Sequence, residues 1–418
     1  MVNEDLIINI LERNNKWWKE EFKLNFKPRE IYENIKKFMH TKQIISLTGL
    51  RRVGKTTLMW KIILDSLEKI DKNNIVYFSF DELKDIKIKD IMEIYAKLMK
   101  KELTKEKYLF LLDEIQKLDG WEEQIKRIYD EHPNIKFVIS GSESLFIRKK
   151  MRESLAGRMF EFKIEPLNFR EFLMFRGKSF QNIKLYEKEI LREFDNFLLC
   201  NGFPEIVDEE KEIIEKYIKD NIIEKIIYRD IPQIISIREP SVLENLLRII
   251  LHDPGEMINI NELAKELNVS RQTISLYLDY LEKSFLIKKL YNFSKNARKS
   301  QRKLKKYYPT IISPDIIGKK DMIGKVFETA MILQLKAEFF WRDAYKNEVD
   351  IIKLNNDIIL PVEIKYSKIE CRGLGLFMKK FKVNKGMIIT YNKKEKIKQN
   401  AKIIEVIPSY EYLLKNQL

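Results

Sequence analysis

The sequence has little cysteine, glycine or proline and no long apolar run, and each shortage excludes a class of protein. Two cysteines, Cys200 and Cys371, cannot form a disulfide framework, and the lack of a CxxC pair argues against a zinc site. Thirteen glycines and eleven prolines leave little material for long flexible linkers. No run approaches the roughly 18 apolar residues that span a bilayer, and the acidic N-terminus lacks the basic-then-apolar order of a signal peptide. We therefore expect a cytoplasmic protein without a membrane segment.

The composition is that of a folded protein with an excess of positive charge. A hydrophobic fraction of 44% with 11% aromatic residues is typical of globular chains, and 418 residues favour two to four domains. Lys and Arg number 78 against 63 Asp and Glu, a net charge of +15. This excess favours an anionic partner such as nucleic acid. Alternatively, the excess reflects a lysine-rich proteome in which lysine side chains are solvated on the surface and bind no partner.

Apolar runs of four to six residues alternate with helical stretches between residue 42 and about residue 165. This alternation predicts buried parallel strands in an α/β sheet. The four runs are Ile44–Leu47, Ile75–Phe80, Tyr108–Leu112 and Phe137–Ser140. The preceding 40 residues predict amphipathic helices with an exposed Trp17-Trp18 pair.

A phosphate-binding loop follows the first of these strands. Its Gly-x4-Gly-Lys-Thr spacing opens a helical stretch, and its glycines let backbone N–H groups turn inward around phosphates at a helix N-terminus. In such a loop Lys55 reaches the β- and γ-phosphate oxygens and the Thr56 hydroxyl holds Mg²⁺. We expect ATP to contact Gly49, Leu50, Arg51, Arg52, Val53, Gly54, Lys55, Thr56 and Thr57.

Two later strands end in polar residues suited to the same site. The strand Tyr108–Leu112 leads into Asp113 and Glu114. We expect Asp113 to join Thr56 in the Mg²⁺ shell and Glu114 to polarise the attacking water. The next strand ends at Ser140-Gly-Ser142, where Ser140 or Ser142 would orient the water near the γ-phosphate; ordinary turn chemistry is the alternative. Together these residues predict Mg²⁺-dependent ATP hydrolysis.

Several motifs, occurring in order along the chain, resemble the archaeal and bacterial AAA-type ATPases of the AAA_14 kind, relatives of the initiator and STAND ATPases. Besides the loop, the matching pieces are Leu112-Asp-Glu-Ile-Gln116 with Trp121, Ser140-Gly-Ser142, Leu155-Ala-Gly-Arg158, Pro166-Leu-Asn-Phe-Arg-Glu-Phe172 and Tyr228-Arg-Asp-Ile231. The resemblance implies that Arg158 is an arginine finger acting on a neighbouring subunit's ATP, and therefore a homo-oligomer. A surface ion pair at Arg158, or a finger at Arg152, are the alternatives. The resemblance also implies that Lys27-Pro-Arg-Glu30 lines the adenine pocket.

Residues 256–293 have the pattern of a helix-turn-helix followed by a wing strand. Asn268-Val-Ser270 turns the chain and caps the second helix. This helix is expected to bury Ile274, Leu278 and Leu281. Its projecting residues are expected to be Arg271, Gln272, Thr273 and Tyr277. The next stretch, 294–306, has seven basic residues and no acidic one, and favours DNA binding through phosphates. A protein–protein spacer is the alternative for this module.

The C-terminal region carries carboxylates and a lysine at strand spacing. Alternation along a strand places Glu363 and Lys365 on one face, with Asp350 on the paired strand and Glu328 on a helix. Carboxylates such as Asp350 and Glu363 can hold Mg²⁺, while lysine stabilises charge on an attacked phosphate. The arrangement resembles the PD-(D/E)XK nuclease fold and the DUF4143-type C-terminal domain of the same ATPases. The resemblance implies catalytic roles for Glu328, Asp350, Glu363 and Lys365, and a domain used only for binding is the alternative.

The predicted fold class is therefore multidomain α/β. Its predicted segments are an N-terminal helical segment (1–40), a P-loop parallel-sheet AAA-type domain (41–165), a helical lid (166–250), a winged helix-turn-helix (251–293), a basic linker (294–309) and a mixed α/β nuclease-like domain (310–418). The leading hypothesis is an ATP-driven protein acting on DNA, with a C-terminal nuclease. The alternative is a nucleotide-gated switch that binds partners without cutting them. A regulator without hydrolysis is disfavoured by the intact Asp113 and Glu114.

Overall fold

The structure, a computed structural model, divides the chain into two compact units, Met1–Pro166 and Leu167–Leu418. It describes residues 4–83, 86–141, 155–234, 239–296, 298, 300, 304–312, 316–317, 319–355, 358–399 and 402–415. Within these ranges no helix is both long and apolar enough to cross a bilayer.

The first unit is an α/β domain around one parallel sheet. Its helices are α1 (Glu4–Asn14), α2 (Glu30–Phe38), α3 (Lys55–Ser66), α4 (Ile88–Met99) and α5 (Trp121–Glu131). Its strands are β1 (Ile44–Thr48), β2 (Ile75–Ser79), β3 (Tyr108–Asp113), β4 (Ile135–Gly141) and β5 (Met159–Lys163). The strand order is β2-β3-β4-β1-β5, with every neighbouring pair parallel. The predicted parallel α/β domain is confirmed.

Strand order in this sheet decides which polar residues meet. The first four strands are almost entirely buried, as their continuous apolar runs predict. Strand β4 lies between β1 and β3, so Ser140 at its end is placed between the phosphate-binding loop and Asp113. The fifth strand, β5, alternates apolar and polar residues at the sheet edge and was not predicted.

The N-terminal segment packs on strand β2 through its tryptophans. Trp17 and Trp18 are only 2% and 6% exposed, and both indole N–H groups donate to the carbonyl oxygen of Ile75, at 3.1 and 2.9 Å. Asn15 exchanges two further hydrogen bonds with the backbone of Tyr77. The prediction of an exposed tryptophan pair is wrong, because the edge strand β2 offers both apolar surface and free carbonyl groups.

The second unit begins with helices and continues into two mixed sheets. Its helices are α6 (Phe169–Phe175), α7 (Glu187–Cys200), α8 (Lys211–Tyr217), the π-helical turns Ile218–Ile223 and Ile226–Asp230, α9 (Ile231–Ile234), α10 (Pro240–His252), α11 (Ile260–Glu266), α12 (Arg271–Lys283), α13 (Ile323–Gln334), α14 (Arg372–Phe381) and α15 (Ser409–Lys415). Its strands are β6 (Glu256–Met257), β7 (Ile287–Asn292), β8 (Lys306–Pro309), β9 (Phe339–Arg342), β10 (Glu348–Val349), β11 (Ile351–Asn355), β12 (Ile358–Lys365), β13 (Lys385–Thr390), β14 (Glu395–Gln399) and β15 (Lys402–Pro408).

One of these sheets joins segments that the sequence separates. Its order is β10-β9-β7-β8-β6, so strands from the helix-turn-helix segment and from the C-terminal segment share one sheet. The other sheet has the order β11-β12-β13-β15-β14. The prediction of a linker over 294–309 is wrong at its C-terminal end, where strand β8 is fully buried and pairs with β6 and β7.

Candidate active sites

The phosphate-binding loop connects β1 to α3 in a conformation that requires its glycines. Gly49 and Gly54 have φ angles of 152° and 93°, in the region that favours glycine. A Cβ atom on Gly49 would overlap the carbonyl oxygen of Ile164, so no side chain fits there. Helix α3 begins at Lys55, which places its free N–H groups and positive dipole end at the loop.

Lys55 lies inside this loop and not on the surface. The residue is 5% exposed, and its ammonium group donates to the carbonyl oxygens of Gly49 and Leu50, at 3.2 and 2.8 Å. Leu50 and Val53 are buried and anchor the loop to the domain. The ammonium charge is therefore held where the loop would receive an anion.

Asp113 is the centre of the polar contacts beside the loop. Its Oδ2 atom accepts hydrogen bonds from Thr56 Oγ1 at 2.7 Å and from Tyr77 Oη at 2.8 Å. Its Oδ1 atom accepts from Ser140 Oγ and from the backbone N–H of Glu114, the latter at 3.1 Å. The structure thus brings together Thr56, Asp113 and Ser140, as expected from the strand ends.

Tyr77 is a member of this site that sequence reasoning missed. Burial, and next the charge of Asp113, raise the pKa of the Tyr77 hydroxyl above its ordinary value, so that it remains a neutral donor. Its only sequence signal is a hydroxyl-bearing aromatic residue two positions before the end of strand β2. The pairing of Ser79 with Asp113 across β2 and β3 brings this hydroxyl to the carboxylate.

Glu114 is held in a defined orientation beside Asp113. Its φ of 53° is uncommon for a residue with a side chain and turns the chain sharply at the end of β3. Its backbone N–H also lies 3.3 Å from Ser140 Oγ, and Gln116 Nε2 donates to its Oε2 at 2.6 Å. Gln116 occurs in the motif Leu112–Gln116, but sequence reasoning assigned it no role.

Arg29 braces the phosphate-binding loop from the N-terminal segment. The residue is 7% exposed, and its guanidinium donates to the carbonyl oxygens of Val53 and Glu165, each at 2.8 Å. These bonds use the positive charge to fix the loop backbone next to Gly54. The adenine-lining role of residues 27–30 stays a prediction.

Arg158 forms an ion pair within its own chain. Its Nε and Nη2 atoms lie 3.1 and 3.2 Å from the two carboxylate oxygens of Asp130. Arg158 therefore forms the surface ion pair that was the alternative to an arginine finger. Its role as an arginine finger stays a prediction. Arg152 and Ser142, which compete for roles near the γ-phosphate, lie outside the described residues.

The donor set beside the loop fits a magnesium ion. A hydroxyl and a carboxylate in contact, Thr56 and Asp113, are hard oxygen ligands, and Mg²⁺ usually takes only one or two protein ligands together with waters and phosphates. Within the described ranges, no group of three or more histidine, cysteine, aspartate or glutamate side chains is arranged to hold a metal. This absence does not count against Mg²⁺ here, because two protein ligands are enough for a magnesium site that also binds phosphates and water.

The C-terminal residues Asp350, Glu363 and Lys365 meet as the strand alternation predicts. Lys365 Nζ lies 2.7 Å from Glu363 Oε1 and 4.0 Å from Asp350 Oδ2. Asp350 is fixed because its Oδ2 also accepts the backbone N–H of Ile364 at 2.7 Å. Both carboxylates are 6% exposed. The two buried carboxylates and the half-buried Lys365 therefore form one charge cluster at the start of β11 and the end of β12.

The electrostatics of this cluster favour a bound cation. Burial, and next the charge of Asp350, raise the pKa of Glu363 to about 8 and also raise the pKa of Glu328. Burial opposes the charge of Lys365, but Asp350 and Glu363 outweigh it and raise the pKa of that ammonium. Glu363 Oε2 has no hydrogen-bond partner among the described residues. Asp350 and Glu363 could thus provide two ligands for a divalent ion. Within the described ranges they do not form a three-carboxylate site with a further acidic residue.

Three residues that sequence reasoning missed complete this cluster: Lys306, Tyr308 and Glu348. Tyr308 Oη donates to Glu328 Oε1 at 2.5 Å. Lys306 Nζ donates to Glu348 and lies 3.7 Å from Glu328 Oε1. Lys306 and Tyr308 come from strand β8, in the stretch predicted as a linker, so no local signal marked them.

The helix-turn-helix segment presents a polar helix start. Ser270 caps α12 by accepting the backbone N–H of Thr273 at 3.0 Å, and Arg271 and Gln272 are exposed beside it. Ile274, Leu278 and Leu281 are buried, as predicted. Tyr277, predicted to project, is only 5% exposed and stacks on Tyr280, because its ring completes the apolar face of the helix.

The basic stretch is divided by burial. Lys295 and Arg298 are exposed, whereas Lys306 is buried in strand β8. Of the other predicted members, Lys305 is half-buried, and Lys299, Arg302 and Lys303 lie outside the described residues. Lys306 cannot contribute to an outer phosphate-binding surface.

Comparison with protein-family profiles matches three consecutive regions of the chain. Residues 41–173 match an AAA domain. Residues 191–310 and 323–412 match two domains of unknown function, DUF8612 and DUF4143.

Relatives from several organisms match most of the chain. The uncharacterized protein MJ1637 of Methanocaldococcus jannaschii is 30% identical over 401 residues, covering 85% of this chain and 83% of that protein. MJ1544 of the same organism is 35% identical over 59% of this chain and 56% of its own length. An uncharacterized protein of Haemophilus influenzae is 27% identical, covering 81% of this chain and 86% of its own.

Two solved structures are similar at low TM-score. A RuvB variant from Thermotoga maritima has 17% identity, 67% coverage of this chain, 88% coverage of its own and a TM-score of 0.31. A STAND protein with a tetratricopeptide repeat sensor from Pyrococcus horikoshii has 13% identity, coverage of 75% and 46%, and a TM-score of 0.28.

Proposed function

The chain belongs to the AAA-type P-loop ATPase family, and from this premise we propose that it hydrolyses MgATP to act on DNA. The observation that carries the ATPase part is the contact of Thr56 and Ser140 with the one carboxylate of Asp113. Residues from the start of helix α3 and the end of strand β4 thus converge on this carboxylate, which ends strand β3 beside the phosphate-binding loop. Such convergence is what positioning a nucleotide and an attacking water requires.

Each residue of the site has a distinct task in this proposal. Lys55 neutralises the β- and γ-phosphate oxygens, since its ammonium already lies inside the loop. Thr56 and Asp113 hold Mg²⁺, which would offset the negative charge of the phosphates. Glu114, oriented by Gln116, accepts a proton from the attacking water. Ser140 keeps Asp113 and the Glu114 backbone in register.

The ATPase proposal is tested by two substitutions in the full-length chain. Lys55→Ala is expected to abolish tight ATP binding with little change in melting temperature. Glu114→Gln is expected to bind ATP and to lower turnover about 10²–10⁴-fold, the usual contribution of a general base. Glu102→Gln, at a side chain that is 65% exposed, is the control. Phosphate release at the control rate by Glu114→Gln would remove Glu114 from this role.

Contact with DNA is proposed through the helix-turn-helix and the residues that follow it. The support is the capped start of α12 with exposed Arg271 and Gln272, together with exposed Lys295 and Arg298. Helix starts and basic side chains are suited to phosphate oxygens. In this proposal helices α11 and α12 form a winged helix, with β7 as its wing strand.

The C-terminal cluster is proposed to cleave the DNA that the chain binds. Asp350 and Glu363 would hold a divalent ion and Lys365 would stabilise charge on the attacked phosphate, as in the PD-(D/E)XK nucleases that the cluster resembles. Incubation of the full-length chain with DNA and Mg²⁺ or Mn²⁺ tests this. Asp350→Asn and Glu363→Gln should remove both metal binding and cleavage, whereas Lys365→Ala should remove cleavage alone. Cleavage by Asp350→Asn at the unsubstituted rate would reject the assignment.

A second candidate function is favoured by the internal ion pairs of the same cluster. Lys365 and Lys306 already pair with the carboxylates, as expected of a site that binds without cutting. The protein would then be a nucleotide-gated switch. Metal binding without cleavage under any nucleotide condition would support the switch over the nuclease.

A further inference from the structure

Lys306 lies in an environment unusual for a lysine. Its side chain is 7% exposed, and its ammonium donates to Glu348, lies 3.7 Å from Glu328 Oε1 and 3.4 Å from Tyr308 Oη. Lysine is almost never this buried unless it is paired, because an isolated buried charge is very costly. Burial lowers the pKa of this ammonium, but the negative charges of Glu328, Glu348 and Asp350 outweigh burial and raise the pKa.

The burial of Lys306 separates it from the other cation of the cluster. Lys365 is 28% exposed and can meet a substrate, whereas Lys306 has little surface through which to contact one. Lys306 can act only on the carboxylates themselves. Glu363 retains an Oε2 atom that is buried and has no hydrogen-bond partner in the described chain. That oxygen is the open acceptor of the cluster.

We propose that Lys306 is the internal counter-ion of the C-terminal site, a positioning residue whose ammonium stabilises the carboxylates without a metal and weakens the binding of a divalent cation at Asp350 and Glu363. The inference rests on the proposed role of those two residues as cation ligands. Lys306 pairs with Glu328 and Glu348, which belong to the same cluster as the proposed ligands Asp350 and Glu363. Its ammonium would therefore repel a divalent cation bound at those ligands, and such repulsion is strong where the dielectric is low. The counter-ion comes from strand β8, which pairs with β7, the strand that follows the helix-turn-helix.

The test is a titration of the full-length chain with Mn²⁺, followed by electron paramagnetic resonance of the free ion. All proteins carry Asp113→Asn, so that the ATP site does not retain Mn²⁺. Lys306→Met removes the charge but keeps the length of the side chain, and is expected to tighten Mn²⁺ binding at least about tenfold, since a buried unit charge near a dication is weakly screened. Lys306→Arg keeps the charge and should bind within about threefold of the parent protein.

Tighter binding distinguishes this role from a purely structural one, because disruption of the site would weaken binding. If Lys306→Met does not fold, Lys306→Gln takes its place, since glutamine can still donate to Glu348 while removing the charge. Unchanged or weaker Mn²⁺ affinity in the neutral variant overturns the inference and leaves the cation site in place. If no variant binds Mn²⁺ in a manner that depends on Asp350 and Glu363, the cation site and the inference both fail.

Discussion

Substitution of Tyr77 by phenylalanine tests how Asp113 is held for magnesium. The change removes one oxygen atom and, with it, the 2.8 Å hydrogen bond to Asp113 Oδ2. Thr56 donates to Oδ2 and Ser140 donates to Oδ1 of the same carboxylate. Asp113 therefore keeps two side-chain partners but loses Tyr77, the partner that restricts its rotation from the β2 side. The aromatic ring, 6% exposed in the core, retains its packing.

The size of the effect follows from the kind of bond that is lost. A hydrogen bond to a charged group contributes about 1.5–3 kcal/mol, and tenfold in an equilibrium constant corresponds to about 1.4 kcal/mol. Loss of a residue that orients a metal ligand commonly lowers metal affinity about 10–100-fold. We therefore expect the free Mg²⁺ concentration for half-maximal ATP hydrolysis to rise about 10–100-fold. Binding of ATP without Mg²⁺ should change little, because Lys55 and the loop are untouched.

The assay is phosphate release as a function of free Mg²⁺ at saturating ATP. Tyr95→Phe is the matched control, since the Tyr95 hydroxyl is also buried and donates to a backbone carbonyl, that of Asn73, away from the site. An unchanged Mg²⁺ dependence in Tyr77→Phe would refute the reasoning. So would an equal shift in the control, because the effect would then be one of general stability.

Three further predictions concern other parts of the chain. Mixed Lys55→Ala and Arg158→Ala subunits should regain ATP hydrolysis if Arg158 acts between subunits, and no recovery at any ratio would reject the finger. Replacement of the basic residues of 295–305 by serine should flatten the plot of log DNA affinity against log salt concentration, whose slope is about −0.9 per phosphate contact. An unchanged slope would leave the stretch without a role in DNA binding. With a chelator present to remove metal ions, the free energy of unfolding should fall as pH rises from about 4.5 to 8. The reason is that Glu363 in the folded chain, with a pKa of about 8, keeps a proton that the unfolded chain releases in this range. Glu363→Gln should reduce this fall in melting temperature, and an equally steep fall would contradict the raised pKa.

Local patterns in the sequence determined the phosphate-binding loop and the sheet that carries it. Gly49 and Gly54 mark backbone conformations that few other residues adopt, and continuous apolar runs mark strands buried on both faces. The approach of Glu363 and Lys365 also follows from residue alternation along a strand. These features depend on residues close together in the chain, so a single sequence is enough to predict them.

Only the tertiary structure decided which distant residues join these sites. Tyr77 reaches Asp113 through strand pairing, Arg29 reaches the loop from the N-terminal segment, and Lys306 enters the C-terminal cluster from a strand predicted as linker. Apart from the family resemblance at residues 27–30, nothing in the local sequence distinguishes these residues from an ordinary core aromatic or a solvated cation. Their partners are set by strand order and by the burial that pairs each charge, and both depend on the whole fold.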